Sequence, residues 1–317
     1  MYGLKLDWDP EPETKCFVLQ DYQGLEPRWC PGCGDLAVLA ALQRLVRDEQ
    51  IPPEKIAVIS GIGCSSRFPH YMKTYGFHGL HGRPLPIASG VRSRRPDLDV
   101  FVITGDGDCC AIGTSHWIHA IRYNMNMTVL MLDNNIYGLT KMQSSPTTRL
   151  GKKSNTHPRG TILGPLDPIS VTLSITNASF VAQTVDWNPP HVLATIRAAH
   201  EHQGLSFVRI MQRCPHYTPE IWTEYQQDPS CIFLLDHPDG IPVDAGVARL
   251  FENKVDHDPS DLPAARDLAA LDEVIPIGLL YRNPDAQRYD LAMHEGLDMP
   301  LDDRITAAQA EVDRFLI

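Results

Sequence analysis

Four short runs in the chain hold residue types that could do chemistry. In Thr104-Gly105-Asp106-Gly107-Asp108 a carboxylate stands between two glycines, and Asn134-Asn135-Ile136-Tyr137-Gly138 follows the next strand-like segment. Glycines beside Asp106 let the backbone turn sharply and approach a phosphate, and a helix opening behind them offers free N–H donors. Magnesium takes about six oxygens and usually shares them with a diphosphate. The Asp106 carboxylate, the Asn134 amide oxygen and the Ile136 carbonyl would supply the protein's part of such a shell. Gly-Asp-Gly alone is often only a turn; joined to Asn134 on the following strand it is much more specific. No Gly-x-Gly-x-x-Gly follows a strand here, so a nicotinamide reading fails.

The other two runs carry sulfur. Trp29-Cys30-Pro31-Gly32-Cys33-Gly34 contains a Cys-x-x-Cys just before a helix-like stretch. It fits a redox dithiol, whose thiol pKa a helix start would lower, or zinc, although zinc sites usually show two such pairs. It also fits half of a 4Fe–4S ligand set. Cys64, in Ser60-Gly61-Ile62-Gly63-Cys64-Ser65-Ser66, and Cys214, before Pro215, each follow a predicted strand and fall at the same sheet edge as Asp106. Spacing alone leaves the cluster, the dithiol and inert core cysteines open. Cys16, Cys109, Cys110 and Cys231 lack partners at useful spacing, and Cys109 and Cys110 read as packing residues.

The elements that must position these residues follow an alternating pattern. Strands are expected at Lys55–Ser60, Asp99–Thr104, Thr128–Asp133, Phe180–Val185 and Leu205–Met211. Helices are expected at Asp35–Glu49, Leu85–Arg95, Ala111–Asn124, Pro168–Asn177 and Pro189–Gln203. The apolar runs are continuous rather than alternating, which fits parallel strands buried on both faces and joined by crossover helices. Asp167 before Pro168 and Asn188 before Pro189 read as N-caps with proline in the first turn. The fold class is therefore α/β: a doubly wound, mostly parallel sheet with a C-terminal extension. Residues 1–26 read as an N-terminal arm, 27–227 as the α/β domain, and 228–317 as the extension, with a helix-like stretch at Ile305–Phe315. Ser145–Pro165 shows no period and reads as a long surface loop or lid.

Composition narrows the class further. The 317 residues are 43% hydrophobic and 21% charged, enough for a large core and too apolar for wholesale disorder. A net charge of −11 argues against a nucleic-acid surface. No apolar run approaches a membrane span, and Met1–Lys15 does not read as a signal peptide. Eight cysteines are too few for a disulfide scaffold, which points to a cytoplasmic chain using some of them for metal or redox chemistry.

Gly-Asp-Gly followed by Asn resembles the thiamine diphosphate signature. Together with Trp29–Asp35, Gly61–Arg67, Gly79–Arg83, the helix bearing His116 and His119, and Asp133–Thr148, it resembles the beta subunits of 2-oxoacid:ferredoxin oxidoreductases, specifically the 2-oxoglutarate type. The similarity covers about Pro27 to Pro219, with a weaker echo at His237–Pro242. The resemblance implies a thiamine diphosphate-type fold and a 4Fe–4S cluster on Cys30, Cys33, Cys64 and Cys214. It implies magnesium on Asp106, Asn134 and the Ile136 carbonyl, and cofactor contacts from Ile62, Gly63, Cys64, Ser65, His81, Gly82, Gly105, Gly107, Asp108, Tyr137, Gly138 and Leu139. The implied reaction is CoA-dependent oxidative decarboxylation of 2-oxoglutarate, with electrons leaving to ferredoxin and reversal as carboxylation open. Implied partners are an obligate alpha subunit, which supplies the activating glutamate, and a second alpha/beta pair. Arg67, three residues past Cys64, is the expected fork for a distal carboxylate, with Leu139 beside the pocket and His81 at the cofactor. His116 and His119 read as packing or interface residues. Met142 departs from the family, which commonly has glycine there. Another 2-oxoacid, a non-redox decarboxylase and a non-catalytic metal module are the competing readings.

Overall fold

The computed structural model describes residues 16–271, 273–293 and 300–315. The arm expected over residues 1–26 lies outside the described residues as far as residue 15. Nine strands form one sheet: β1 (Ile56–Ser60), β2 (Tyr75–His78), β3 (Asp99–Gly105), β4 (Met127–Asp133), β5 (Phe180–Val185), β6 (Leu205–Met211), β7 (Ile232–Asp236), β8 (Asn253–Asp256) and β9 (Ile275–Arg282). Their order is β2-β1-β3-β4-β6-β5-β9-β7-β8. Every pairing is parallel except β5 with β9. The mixed, mostly parallel α/β sheet expected from the sequence is what forms.

The central strands are buried along their whole length, as continuous apolar runs require. Helices Asp35–Asp48 and Pro189–Glu201 cover one face, where Val38, Leu42 and Ile196 pack with Val58, Phe101 and Leu130. Helices Pro84–Arg94, Thr114–Tyr123, Pro168–Ser174 and Leu262–Ala269 cover the other, where Trp117 stacks on Phe207 at 5.6 Å. The expected caps form: Asp167 accepts from the Ile169 and Ser170 amides, and Asn188 from the His191 amide. Cys109 and Cys110 lie in a π-helical turn, Asp108–Ile112, buried in the second core.

Two parts of the sheet were not visible in the sequence. Strand β2 is a short edge strand with every residue exposed, so it carries no burial pattern. Strands β7, β8 and β9 come from the segment read as an extension, and they continue the same sheet beyond β5. Pro276 and Gly278 disguise β9. Pro276 is registered only against β7, and the β5 ladder begins at Gly278, so the missing N–H falls outside that ladder.

The order β1-β3-β4-β6 decides where the chemistry lies. These four parallel neighbours end at Ser60, Gly105, Asp133 and Met211, so the loops bearing Cys64, Asp106, Asn134 and Cys214 leave the same edge side by side. Open parallel sheets bind ligands at that edge.

Burial also sets an acid limit on the fold. His191 is fully buried with its Nδ1 2.7 Å from the Thr184 hydroxyl, and burial pushes its pKa down to about 4. A depressed histidine stays neutral in the folded chain while the unfolded chain takes up a proton, so stability is lost as pH falls from about 6.5 toward 4. The His191→Gln variant should show a flatter dependence of thermal midpoint on pH across that window than the parent, measured by circular dichroism.

Candidate functional site

The loops at this edge line a cleft. It is lined by Ile62, Gly63, Cys64 and Ser65 after β1, His81 after β2, Gly105 to Asp108 after β3, and Asn134 with Ile136 to Thr140 after β4. All the residues expected to touch the cofactor line it except Gly82, whose backbone is tied to it through Asp108.

Asp108 organises the walls. Its buried carboxylate accepts from the Ile62 amide at 3.0 Å, the Gly82 amide at 2.7 Å and the Thr104 hydroxyl at 2.8 Å. His81 Nδ1 lies 2.8 Å away as well. Close approach explains the glycines: a β-carbon on Gly61 would sit 2.0 Å from Asp108 Oδ2, and one on Gly107 would sit 2.2 Å from the Tyr137 ring. Tyr137 in turn donates its hydroxyl to the Gly107 carbonyl at 2.9 Å.

Asp106 has different surroundings. It is buried, receives the Thr147 hydroxyl at 2.7 Å, and has no lysine or arginine partner among the described residues. Burial and the neighbouring Asp133 push its pKa up. Asp133 is neutralised by Arg209 at 2.7 Å, leaving Asp106 as the acid without a counter-charge. Asn134 turns its Nδ2 to Gln212 Oε1 at 2.7 Å, and its Oδ1 accepts from the Ile136 amide at 3.3 Å. A buried uncompensated carboxylate next to an oriented amide oxygen suits a hard divalent cation carrying a diphosphate.

The four expected cluster cysteines come from three loops that are tied together. Cys33 donates its amide to the Cys30 carbonyl at 3.0 Å, and the Gly34 amide reaches the Arg213 carbonyl at 3.1 Å. Trp29 Nε1 donates to the Cys64 carbonyl at 2.6 Å. A β-carbon on Gly138 would lie 3.5 Å from Cys64 Sγ and 4.0 Å from Cys214 Sγ, so both sulfurs approach Gly138, and Cys64 lines the cleft with it. Burial pushes the Cys33 thiol far up and the Cys64 thiol up to about 12. Among the described residues no three His, Cys, Asp or Glu side chains are gathered closely enough to hold an ion as they stand. Four thiolates are the number and kind of ligand that a 4Fe–4S cluster takes, and a metal binding to them would displace their protons.

Residues 61–210 match the family model for the thiamine pyrophosphate enzyme, C-terminal TPP binding domain. The 2-oxoacid:ferredoxin oxidoreductase subunit beta of Saccharolobus solfataricus is 32% identical over 299 residues, 93% of this chain and 88% of that one. The chain belongs to the beta subunits of 2-oxoacid:ferredoxin oxidoreductases. The 2-oxoglutarate oxidoreductase subunit KorB of Mycobacterium tuberculosis is 47% identical over 190 residues, 60% of this chain, and the match spans about half (51%) of that relative's length. A solved 2-oxoglutarate:ferredoxin oxidoreductase from Magnetococcus marinus, with 2-oxoglutarate, coenzyme A and succinyl-CoA bound, superposes with a TM-score of 0.80 at 34% identity, covering 94% of this chain and 97% of that one.

Within this beta subunit the remaining expected residues divide. Leu139 lies half-exposed at the mouth of the cleft, and the His81 ring meets the Tyr137 ring edge-on at 5.8 Å. Arg67 is not among the lining residues; it ends a 3-10 turn capped by Cys64 and stacks 5.7 Å from the Tyr71 ring. His116 and His119 lie on helix Thr114–Tyr123 away from the cleft, with His119 against Tyr123 at 4.1 Å. Lys141 and Met142 both have positive φ, 69° and 65°, which accounts for the usual glycine at the second position and marks a strained turn here. Sequence reasoning missed Thr147, Gln212 and Arg209. Thr147 falls in Ser145–Pro165, read as surface, yet Ser145, Thr147 and Thr148 are buried, and Thr148 donates to the Asn135 carbonyl at 2.7 Å.

Removing the Asp108 carboxylate strands two buried amides, each worth about 1–3 kcal/mol. Urea denaturation of Asp108→Ala should show a loss of about 3 kcal/mol or more, and Thr104→Val, which removes one donor only, a loss of about 1 kcal/mol. Equal losses would deny Asp108 its organising role.

Proposed function

We propose that this subunit carries the reaction centre for CoA-dependent oxidative decarboxylation of 2-oxoglutarate to succinyl-CoA and CO2, with electrons leaving through a 4Fe–4S cluster to ferredoxin. The carrying observation is one cleft lined by Asp106, Asn134, Ile136, Cys64 and Gly138, with the Cys214 sulfur close to Gly138. When bound, thiamine diphosphate supplies carbanion chemistry at the carbon beside the oxo group, and the cluster supplies one-electron capacity.

Asp106, the Asn134 amide oxygen and the Ile136 carbonyl would hold Mg2+ and through it the diphosphate. Asp108 spends its carboxylate on the walls, fixing Ile62 and Gly82 where backbone can approach the cofactor. Tyr137 closes the floor at Gly107. Cys30, Cys33, Cys64 and Cys214 would hold the cluster within one loop of the cleft. The only carboxylates lining the cleft among the described residues are Asp106 and Asp108, and both are engaged. As the family resemblance implies, the glutamate that activates the aminopyrimidine would come from an alpha subunit, and the working enzyme would pair two such alpha/beta units. Given a low-potential donor, the same site would run as a carboxylase. No described helix is long and apolar enough to cross a membrane.

Similarity to proteins named for 2-oxoglutarate supports that substrate. Arg67 is the group assigned to its distal carboxylate: it has no acidic partner among the described residues and lies one short turn from Cys64.

The chain purified anaerobically with its co-expressed partner should contain iron, acid-labile sulfide and thiamine diphosphate; thiamine diphosphate without iron would identify a non-redox decarboxylase instead. For the substrate, Arg67→Ala should lower kcat/KM for 2-oxoglutarate about tenfold or more while pyruvate turnover holds. Equal losses on both would sink the assignment of Arg67.

A further inference from the structure

Gln212 stands between the two halves of the proposed site. It follows β6 directly, its side chain is 1% exposed, and its backbone is locked from both sides. Its amide donates to the Asp133 carbonyl at 2.9 Å, and its carbonyl accepts from Trp222 Nε1 at 3.1 Å. The side-chain amide then reaches in two directions. Oε1 accepts from Asn134 Nδ2 at 2.7 Å, while Nε2 donates to Cys33 Sγ at 3.3 Å and to the Arg213 carbonyl. Gly34 presses on the stem, since a β-carbon there would lie 2.9 Å from Gln212 Cγ.

The two bonds have separate chemical consequences. An asparagine binds a hard cation only through its oxygen, and its two ends differ only in which atom points where. By accepting from Nδ2, Gln212 leaves Oδ1, which takes one bond from the Ile136 amide, as the end with a lone pair still available to a cation. At the other end, an N–H directed at a cluster sulfur stabilises the more negative, reduced cluster and raises its potential. Because Oε1 is occupied by Asn134, Nε2 must be the atom that faces Cys33.

We propose that Gln212 is a positioning residue that sets the metal-binding face of Asn134 and the reduction potential of the cluster with one side chain. This rests on the cluster and diphosphate sites proposed above. Outer partners of metal ligands commonly control affinity by about 10–100-fold. The near-isosteric Gln212→Met removes the bonds to Asn134, Cys33 and the Arg213 carbonyl, whereas Gln212→Glu keeps an acceptor for Asn134 Nδ2 whether or not it is protonated.

The test uses the enzyme assembled with its partner, with two readouts that do not depend on turnover. These are Mg2+-dependent thiamine diphosphate affinity, followed by tryptophan fluorescence, and the cluster midpoint potential, followed by EPR-monitored titration. Gln212→Met should weaken thiamine diphosphate binding about tenfold or more and shift the midpoint to more negative values. Gln212→Glu should restore the affinity to that of the parent. An unchanged midpoint in Gln212→Met, or affinity that stays low in Gln212→Glu, overturns the proposal. Loss of iron from both variants also overturns it, in favour of a purely scaffolding role. A parent enzyme without iron or Mg2+-dependent binding would instead defeat the underlying site assignment, so the two failures are separable.

Discussion

The site depends on carboxylates buried at one sheet edge, each stabilised by a different means. Asp108 is saturated by protein donors from two loops and strand β3, so the walls of the cleft form one hydrogen-bonded unit before any ligand arrives. Asp133 is balanced by Arg209, which also reaches Asp167 at 3.2 Å and Gln183 at 3.1 Å. Asp106 is left without a cation of its own. Burying an ionised carboxylate without a partner is costly, so such a group either takes a proton or waits for a charge.

Thr147 makes the imbalance concrete. Its hydroxyl lies 2.7 Å from Asp106 Oδ2 and 3.0 Å from Asp133 Oδ1. One hydroxyl has one proton, so it serves one of these acids at a time. The divalent cation proposed for Asp106 would release the hydroxyl to Asp133. The sulfur side follows the same logic: burial raises the Cys64 thiol, so it would hold its proton until the proposed metal displaced it.

Much of this was legible in the residues, for physical reasons. The five central strands were visible because a strand buried on both faces must be apolar throughout, as in Val100–Ile103 and Val129–Leu132. The cleft was visible because Gly-Asp-Gly and Asn134 belong to adjacent parallel strands, whose ends must meet. Strand β9 was hidden by Pro276 and Gly278, whose local meaning as breakers was overridden by a pairing that begins beyond the proline. Thr147 and Gln212 were hidden for another reason. A short polar side chain looks alike whether it is solvated or buried against a carboxylate, and only the folded contacts distinguish the two. Arg67 was singled out by its position in sequence, whereas its stacking on Tyr71 is a tertiary fact.

The antiparallel join between β5 and β9 has a consequence for synthesis. Strands β1 to β6 are complete by Met211, but the partner that covers the outer edge of β5 begins only at Ile275. A chain emerging from the ribosome thus presents an almost finished sheet with one edge strand, Phe180–Val185, that is fully buried in the finished fold and uncovered while the following segment is made. Uncovered strand edges of this kind recruit other chains. The interval before β9 arrives is when this protein is most exposed to misassembly, and when a chaperone would find the most to hold.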